Sequence, residues 1–213
     1  MISLEKYYLC LDIELDETLK TLCYRNERNL DINNIEDQIF IFEQEVTEWL
    51  FRPIWKLLEE DNNDLKNGYK YKPFRNSIYV LFGLFAFIEK MELYRKGKES
   101  APTSQTLKEG INRIFGLKND KLKPLLDATR HKLSHEATIG DDTLLNLQAS
   151  KAIDIDKGKI IINPNLMFVE IGTDYTEYLK NLRDFSNRRY DVLRKDFKKK
   201  FTKVYEKEID ILK

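Results

Sequence analysis

The chain of 213 residues is 42% hydrophobic, 12% aromatic and 34% charged, and its formal net charge is zero. Only eight glycines and five prolines exclude a loop-rich chain, and the longest apolar run, residues 78–88, is shorter than the ~20 residues that a membrane-spanning helix needs. The amino-terminal stretch turns acidic by Asp12, so no signal peptide is expected, and the two isolated cysteines are expected to be reduced. These features predict a cytoplasmic protein that does not associate with membranes.

The charge is unevenly distributed along the chain. Residues 1–64 hold 6 Lys and Arg against 16 Asp and Glu, whereas residues 180–213 hold 12 against 6. A basic carboxyl-terminal part can present a nucleic-acid face, and it can equally neutralise the acidic amino-terminal part within the fold. Both interpretations stay open from the sequence.

Helical periodicity predicts most of the first half of the chain. Residues 3–24 show leucines and tyrosines at helical spacing, and a second helix from about Ile35 should kink or restart at Pro53. Residues 74–94 form the most hydrophobic predicted helix, and their stretch 78–85 is apolar nearly all round, which favours a central helix that also faces a second chain. A short helix capped by Thr103 or Ser104 follows. Trp49, Trp55 and the Phe-rich stretch 82–87 are expected in the core.

The second half begins with a helix from Asn119 or Asp120 that holds Pro124 in its first turn and ends at Gly140. Alternation over residues 152–162 around Lys157-Gly158 predicts a β-hairpin, and a last long helix runs from about residue 173 to the end. The sequence therefore predicts an all-α helical bundle with a long carboxyl-terminal helix and one small β-hairpin insertion. Residues 1–64 would be an acidic helical segment packing on a helical domain of residues 65–213.

One stretch concentrates the chemistry, Arg130-His131-Lys132-Leu133-Ser134-His135, and it contains the only two histidines of the chain. Histidine has an unperturbed pKa near physiological pH and is the usual proton-transfer group. On a regular helix His131 and His135 lie about 40° apart, while Arg130 and His135 lie about 140° apart. Arg130 and His135 therefore converge only if the arginine uses its length or if a second copy of the helix supplies the partner.

This set of side chains suits attack on a phosphodiester by the neighbouring 2′-hydroxyl of RNA. A histidine removes the 2′ proton or protonates the leaving oxygen, and an arginine binds the phosphate and stabilises the charge of the transition state. The reaction requires no metal ion, and DNA cannot react in this way because it lacks the hydroxyl.

The stretch resembles the motif of the HEPN superfamily, an arginine, a polar residue and a histidine four to six residues after the arginine, and the resemblance is best over residues 74–140. It implies a helical bundle that dimerises through the motif helix and a metal-independent endoribonuclease that leaves 2′,3′-cyclic phosphate ends. It also implies a role in toxin–antitoxin or phage-defence systems, with RNA and an antitoxin or regulatory protein as partners and no cofactor. By this resemblance Arg130 and His135 are the catalytic pair, and His131 orients the site or moves a second proton. Some toxins of the family carry a modified tyrosine two residues after the histidine; this chain has Ala137 there, so that regulation is not predicted.

Two other functions compete with this interpretation. Asp127, His131 and His135 could hold a metal ion, but residues eight apart on a helix are separated by about 12 Å, too far for one ion to bind both Asp127 and His135. A non-catalytic dimeric module could bind RNA, a nucleotide or a protein. Four basic residues are candidate nucleic-acid contacts, although a solvated helix face is the preferred interpretation of the carboxyl-terminal pair. These are Lys123, Lys132, Arg188 and Arg189.

Overall fold

The computed structural model describes residues 6–16, 20–25, 27–68, 76–100, 102–117, 119–127, 132 and 139–212. Within these residues the protein is a mixed α/β structure with helices and two β-sheets. The prediction of an all-α bundle with one small hairpin is therefore wrong. The chain divides into two compact units, residues 1–53, 94–99 and 178–213 in the first and residues 54–93 and 100–177 in the second. The proposed boundary after residue 64 stays a prediction.

The amino-terminal sheet of the first unit occupies the region that the sequence predicted as a helix. It is an antiparallel meander in the order β1-β2-β3-β4. The strands are β1 (Lys6–Cys10), β2 (Ile13–Asp16), β3 (Thr21–Tyr24) and β4 (Arg28–Leu30). Ile13, Leu15 and Leu22 are buried on it. Lys20 and Arg25 both have a φ of 51°, so the chain reverses at residue types that seldom mark a turn in a sequence.

Helix α1 (Ile35–Val46) follows the sheet. Asn34 caps it, because the Asn34 side chain accepts hydrogen bonds from the amides of Glu36 and Asp37. A π-helical turn (Thr47–Phe51) then leads into α2 (Arg52–Lys66). The irregularity predicted near Pro53 takes the form of this π-helical turn. The Arg52 amide donates to the Thr47 carbonyl, so the chain stays helical and changes its hydrogen-bond pattern just before the proline.

Three more helices lie in the middle of the chain, α3 (Ser77–Lys96), α4 (Thr103–Phe115) and α5 (Asn119–Leu126). In the second unit α3 and α4 approach closely at Gly110, where an added Cβ would lie 2.2 Å from the Ile88 Cγ2. The guanidinium of Arg113 pairs with the buried Glu92 at 2.8 Å and also contacts Asp174. A buried carboxylate needs such a partner, so this pair explains why Glu92 is tolerated inside.

The second sheet contains the predicted hairpin. Its strands β5 (Thr143–Leu145), β6 (Ile153–Asp156) and β7 (Lys159–Ile162) lie in the order β5-β7-β6. The hairpin β6–β7 is confirmed, and its turn residues Lys157 and Gly158 both have positive φ, as a two-residue turn requires. Strand β5 was not predicted; it pairs parallel to β7.

The carboxyl-terminal part is not one helix. It consists of α6 (Pro164–Arg183), a 3-10 turn (Arg188–Tyr190), α7 (Asp191–Val204) and α8 (Glu206–Leu212). The break follows from local capping, because the Asn187 side chain accepts a hydrogen bond from the Arg189 amide. The core of the first unit is aromatic: the Phe42 ring centroid lies 4.4 Å from that of Tyr94 and 5.5 Å from that of Phe197.

Candidate functional site

Most of the predicted catalytic motif lies outside the described residues. Arg130, His131 and His135 are not among them, and only Lys132 of the motif is described. Lys132 has a helical backbone and a half-buried side chain. The roles of Arg130, His131 and His135 stay predictions that rest on the sequence, and the same holds for the ending of the motif helix at Gly140.

The helix that leads towards the motif buries a stripe of leucines. Leu122, Leu125 and Leu126 of α5 are all at most 4% exposed, whereas the side chain of Lys123 is exposed. The Lys121 ammonium donates to the carbonyl of Ile155 at 3.4 Å, which joins α5 to strand β6 in the second unit. The leucines therefore fix the helix, and Lys123 is available to a ligand in solvent.

Pro124 does not lie where the sequence analysis placed it. It is the sixth residue of α5 rather than a member of the first turn. At that position it cannot donate the amide hydrogen bond that an interior helical residue makes. The preceding helix, α4, ends at Phe115. The next residue, Gly116, has a φ of 66°, the left-handed conformation typical of a helix carboxyl terminus.

The two carboxyl-terminal basic candidates, Arg188 and Arg189, are exposed on the 3-10 turn of the first unit. Arg189 lies over the ring of Tyr190, with its guanidinium carbon 5.2 Å from the ring centroid. Lys123 and Lys132 belong to the second unit, so the four basic candidates do not share one unit.

The basic run beyond this turn is not uniformly solvated. Arg194 is 9% exposed, and its guanidinium donates to the carbonyls of Asp184 at 2.9 Å and Asn187 at 3.1 Å. It therefore binds the chain just after α6 rather than presenting its charge to a partner. Phe197 and Phe201, which alternate with the basic residues in the sequence, are fully buried.

Each of the two units contains at least one cavity among its described residues. One, of about 270 Å³ in the first unit, is lined mainly by strand β4 and the residues after it. The other, of about 370 Å³ in the second unit, lies between α2 and α6 and is lined by Trp55, Asn62, Asn165 and their neighbours. The prediction that Trp49 and Trp55 lie in the core is wrong, since Trp55 is 52% exposed and Trp49 is 55% exposed. The second cavity was missed for the same reason.

A signal for this cavity was present in the helical periodicity of α2. Ile54, Leu58 and Asp61 form its buried stripe. Trp55 and Asn62 each follow a residue of this buried stripe by one position. They are seven residues apart, so they lie on a second stripe beside the first. An ordinary solvated helix face seldom carries a large aromatic residue among its polar residues. Such a stripe therefore indicates a candidate binding surface on that side of the helix.

The described residues contain no group of three His, Cys, Asp or Glu side chains placed to hold a metal ion. Both histidines of the proposed alternative metal site lie outside those residues, and that alternative therefore stays untested. Asp127, its third member, is exposed.

Comparisons of the chain with family models, with curated proteins and with solved structures gave no match. None of the helices in the described parts of the chain combines the length and the apolar character that crossing a membrane requires.

Proposed function

We propose that the chain is a HEPN-type, metal-independent endoribonuclease that leaves 2′,3′-cyclic phosphate ends. The observation that carries the proposal is the sequence Arg130-His131-Lys132-Leu133-Ser134-His135, which gathers both histidines of the chain beside an arginine. His135 acts as general acid or base, Arg130 stabilises the phosphate charge, and His131 orients the site or moves the second proton. The proposal rests on this motif and not on the all-α bundle that the resemblance also implied.

The described surroundings of the motif support the proposal. Lys132 has a helical backbone, which is the conformation that the motif requires. Lys123 is exposed on the helix that precedes the motif. Cations beside a phosphodiester site raise the local concentration of RNA and position its backbone without reading its sequence.

The decisive experiment is cleavage of an end-labelled single-stranded RNA in excess EDTA, with a DNA of the same sequence as a second substrate. Wild type should cut the RNA to cyclic phosphate ends and leave the DNA intact. His135→Ala and Arg130→Ala should each lower the rate at least about a hundredfold, the low end for a lost proton-transfer group or oxyanion donor. Ser134→Ala is the matched control, since serine supplies no acid–base group near neutral pH.

Three results would contradict the proposal. They are cleavage that stops in EDTA, cleavage of DNA at the same rate, and equal cleavage by His135→Ala. Tightly bound zinc in stoichiometric amount, lost on His131→Ala, would favour the metal site instead.

On the resemblance alone, the proposal includes a role in toxin–antitoxin or phage defence, with an antitoxin or regulatory protein as partner. Expression of the wild-type chain should then arrest growth of a bacterial host. His135→Ala should not, although it accumulates to the same level. Equal growth arrest by both chains would contradict a toxic ribonuclease activity.

A second candidate function is a non-catalytic dimeric module that binds RNA, a nucleotide or a protein. The exposure of Arg188 and Arg189 favours it. RNA binding by this surface should survive His135→Ala and weaken in the double variant Arg188→Ala/Arg189→Ala. A plot of log K against log salt concentration should become less steep in that variant. The magnitude of its negative slope should decrease by about 2, one per lost phosphate contact.

A further inference from the structure

The cavity between α2 and α6 in the second unit has the size of a small-molecule site. Its volume is about 370 Å³, at the lower end of the roughly 300–1,000 Å³ of ligand pockets in proteins. Nine of the described residues line it. They include Trp55, Leu58, Asn62, Asn165, Phe168 and Val169, together with the charged Glu59 and Lys66.

One wall of the cavity is aromatic and apolar. Trp55 lines it while remaining 52% exposed, and Leu58, which is 3% exposed, forms a buried surface one helical turn further on. Phe168 and Val169 line the side that α6 contributes. An indole that stays half in solvent beside a cavity offers a flat face on which a planar ring can stack.

The polar part of the cavity is a pair of side-chain amides. The Asn62 Nδ2 donates to the Asn165 Oδ1 at 3.0 Å, and the Asn165 Nδ2 donates to the Asn62 Oδ1 at 2.9 Å. A carboxamide has two N–H donors and two acceptor lone pairs, and this reciprocal pairing uses one of each on either side chain. Each amide therefore has one N–H donor and one acceptor lone pair that this pairing does not use. Within the described residues, the pairing also holds each amide in a fixed orientation.

We infer that this cavity binds a nucleobase, stacked on Trp55 and hydrogen-bonded through its polar edge to the amides of Asn62 and Asn165. A nucleobase combines a π face with donors and acceptors side by side in one plane, which matches an indole next to an amide pair. An aliphatic ligand would leave the remaining donor and acceptor of each part-buried amide unpaired, which is unfavourable. The cavity also holds ionic groups suited to the rest of a nucleotide, because Lys66 supplies a cation for a phosphate and Glu59 supplies acceptors for ribose hydroxyls.

The inference is independent of the ribonuclease proposal, because none of these residues belongs to the histidine motif. It is tested with free nucleosides, which contain no phosphodiester bond. The full-length chain is titrated with adenosine, guanosine, cytidine and uridine, and binding is followed by calorimetry or equilibrium dialysis. Cleavage activity does not enter the readout, so failure of one proposal leaves the other unaffected.

Two variants remove the cavity's binding capacity in different ways. Trp55→Ala deletes the stacking surface and should weaken binding by about fivefold or more. Val169→Trp fills the cavity from the α6 side while every other contact remains, and it should abolish binding. Both positions are more than half exposed, so both variants should fold. Tyr79→Ala is the matched control, since Tyr79 is an aromatic residue of the same unit that is 69% exposed and does not line the cavity.

Binding of at least one nucleoside that Trp55→Ala weakens, Val169→Trp abolishes and Tyr79→Ala preserves would establish the site. No binding of any nucleoside to the wild-type chain at millimolar concentration would overturn the inference. Equal binding by Trp55→Ala would also overturn it, because the base would then bind elsewhere. Binding of an extended peptide in place of nucleosides, with the same dependence on Trp55, would overturn the nucleobase assignment as well.

Discussion

At the residue scale, Arg194 shows how a basic side chain in a basic run can be structural. Its guanidinium lies 2.6 Å from the Asp191 carboxylate and donates to the carbonyls of Asp184 and Asn187. Arg194→Ala should lower the free energy of unfolding by about 2 kcal/mol or more, since it removes the charge-assisted hydrogen bonds that a nearly buried guanidinium makes to two part-buried carbonyls. Lys195→Ala, at the exposed neighbouring position, should change it by no more than about 0.5 kcal/mol. Urea unfolding measures both, and equal effects would contradict the structural role of Arg194.

The two cysteines should differ in reactivity. Cys10 is fully buried, and burial raises the pKa of its thiol, so little of it is the reactive thiolate. Cys23 is only half-buried, and its thiol lies 2.9 Å from the Asn29 Oδ1. A thiol reagent such as DTNB should therefore modify one thiol per native chain and both after unfolding. Cys23→Ser should remove the native reaction, and a native reaction that persists in Cys23→Ser would show that Cys10 is accessible.

Glu170 gives a prediction with a defined pH dependence. Burial raises the pKa of its carboxyl above the usual value, so the unfolded chain loses this proton at a lower pH than the folded chain does. Stability should consequently fall as pH rises from the unfolded pKa through the folded pKa. Glu170→Gln should therefore raise the melting temperature at pH 7 and leave it nearly unchanged near pH 4. A decrease at pH 7 would show that the ionised carboxylate has a stabilising partner.

At the element scale, two helical glycines form a matched pair. A Cβ at Gly110 would lie 2.2 Å from the Ile88 Cγ2, whereas a Cβ at Gly172 would meet nothing within 4 Å. Gly110→Ala should destabilise the chain by about 1–3 kcal/mol through overpacking. Gly172→Ala should stabilise it by up to about 1 kcal/mol, because alanine is the better helix former. Thermal and urea unfolding measure both effects. If the close contact is the cause, Gly110→Ala and Ile88→Ala should together cost less than the sum of their separate effects.

Sequence periodicity identified an element correctly where the turn beside it contains a residue type that favours turns. The hairpin β6–β7 was predictable because Lys157-Gly158 separates two alternating runs. Residues 3–24 were assigned to a helix because their leucines and tyrosines fit helical spacing, although Ile13 and Leu15 also alternate as in a strand. The positive-φ positions are occupied by Lys20 and Arg25 rather than by the Gly or Asn that favours this conformation, and the strands were therefore missed.

The same reasoning explains what was missed elsewhere. The last helix was drawn as one element because its apolar spacing continues, but the cap at Asn187 and the buried Arg194 end α6 before residue 188. Among the proposed functional residues, the histidine motif was visible because residue type and spacing alone define it. The cavity required the pairing of Asn62 with Asn165, which are 103 positions apart, and no local pattern reports such a pairing.

At the scale of the whole molecule, the question is how many chains would build the proposed catalytic site. On a regular helix Arg130 and His135 lie about 140° apart, so two arrangements are possible. Either the arginine reaches round its own helix, or each site takes the arginine from one protomer and the histidine from the other. Sedimentation analysis of the purified chain should show a dimer in the second case.

Mixing two inactive variants separates these arrangements. Arg130→Ala and His135→Ala are each expected to be inactive. In a mixed dimer of the two, a site shared between protomers is restored once, from the His135 of one chain and the Arg130 of the other. Because random exchange makes half of the dimers mixed and each regains one of its two sites, the activity should return to roughly a quarter of the wild-type value. A site contained in one protomer regains nothing, so an inactive mixture, with subunit exchange verified by differently tagged chains, would contradict the shared site and assign both residues to one chain.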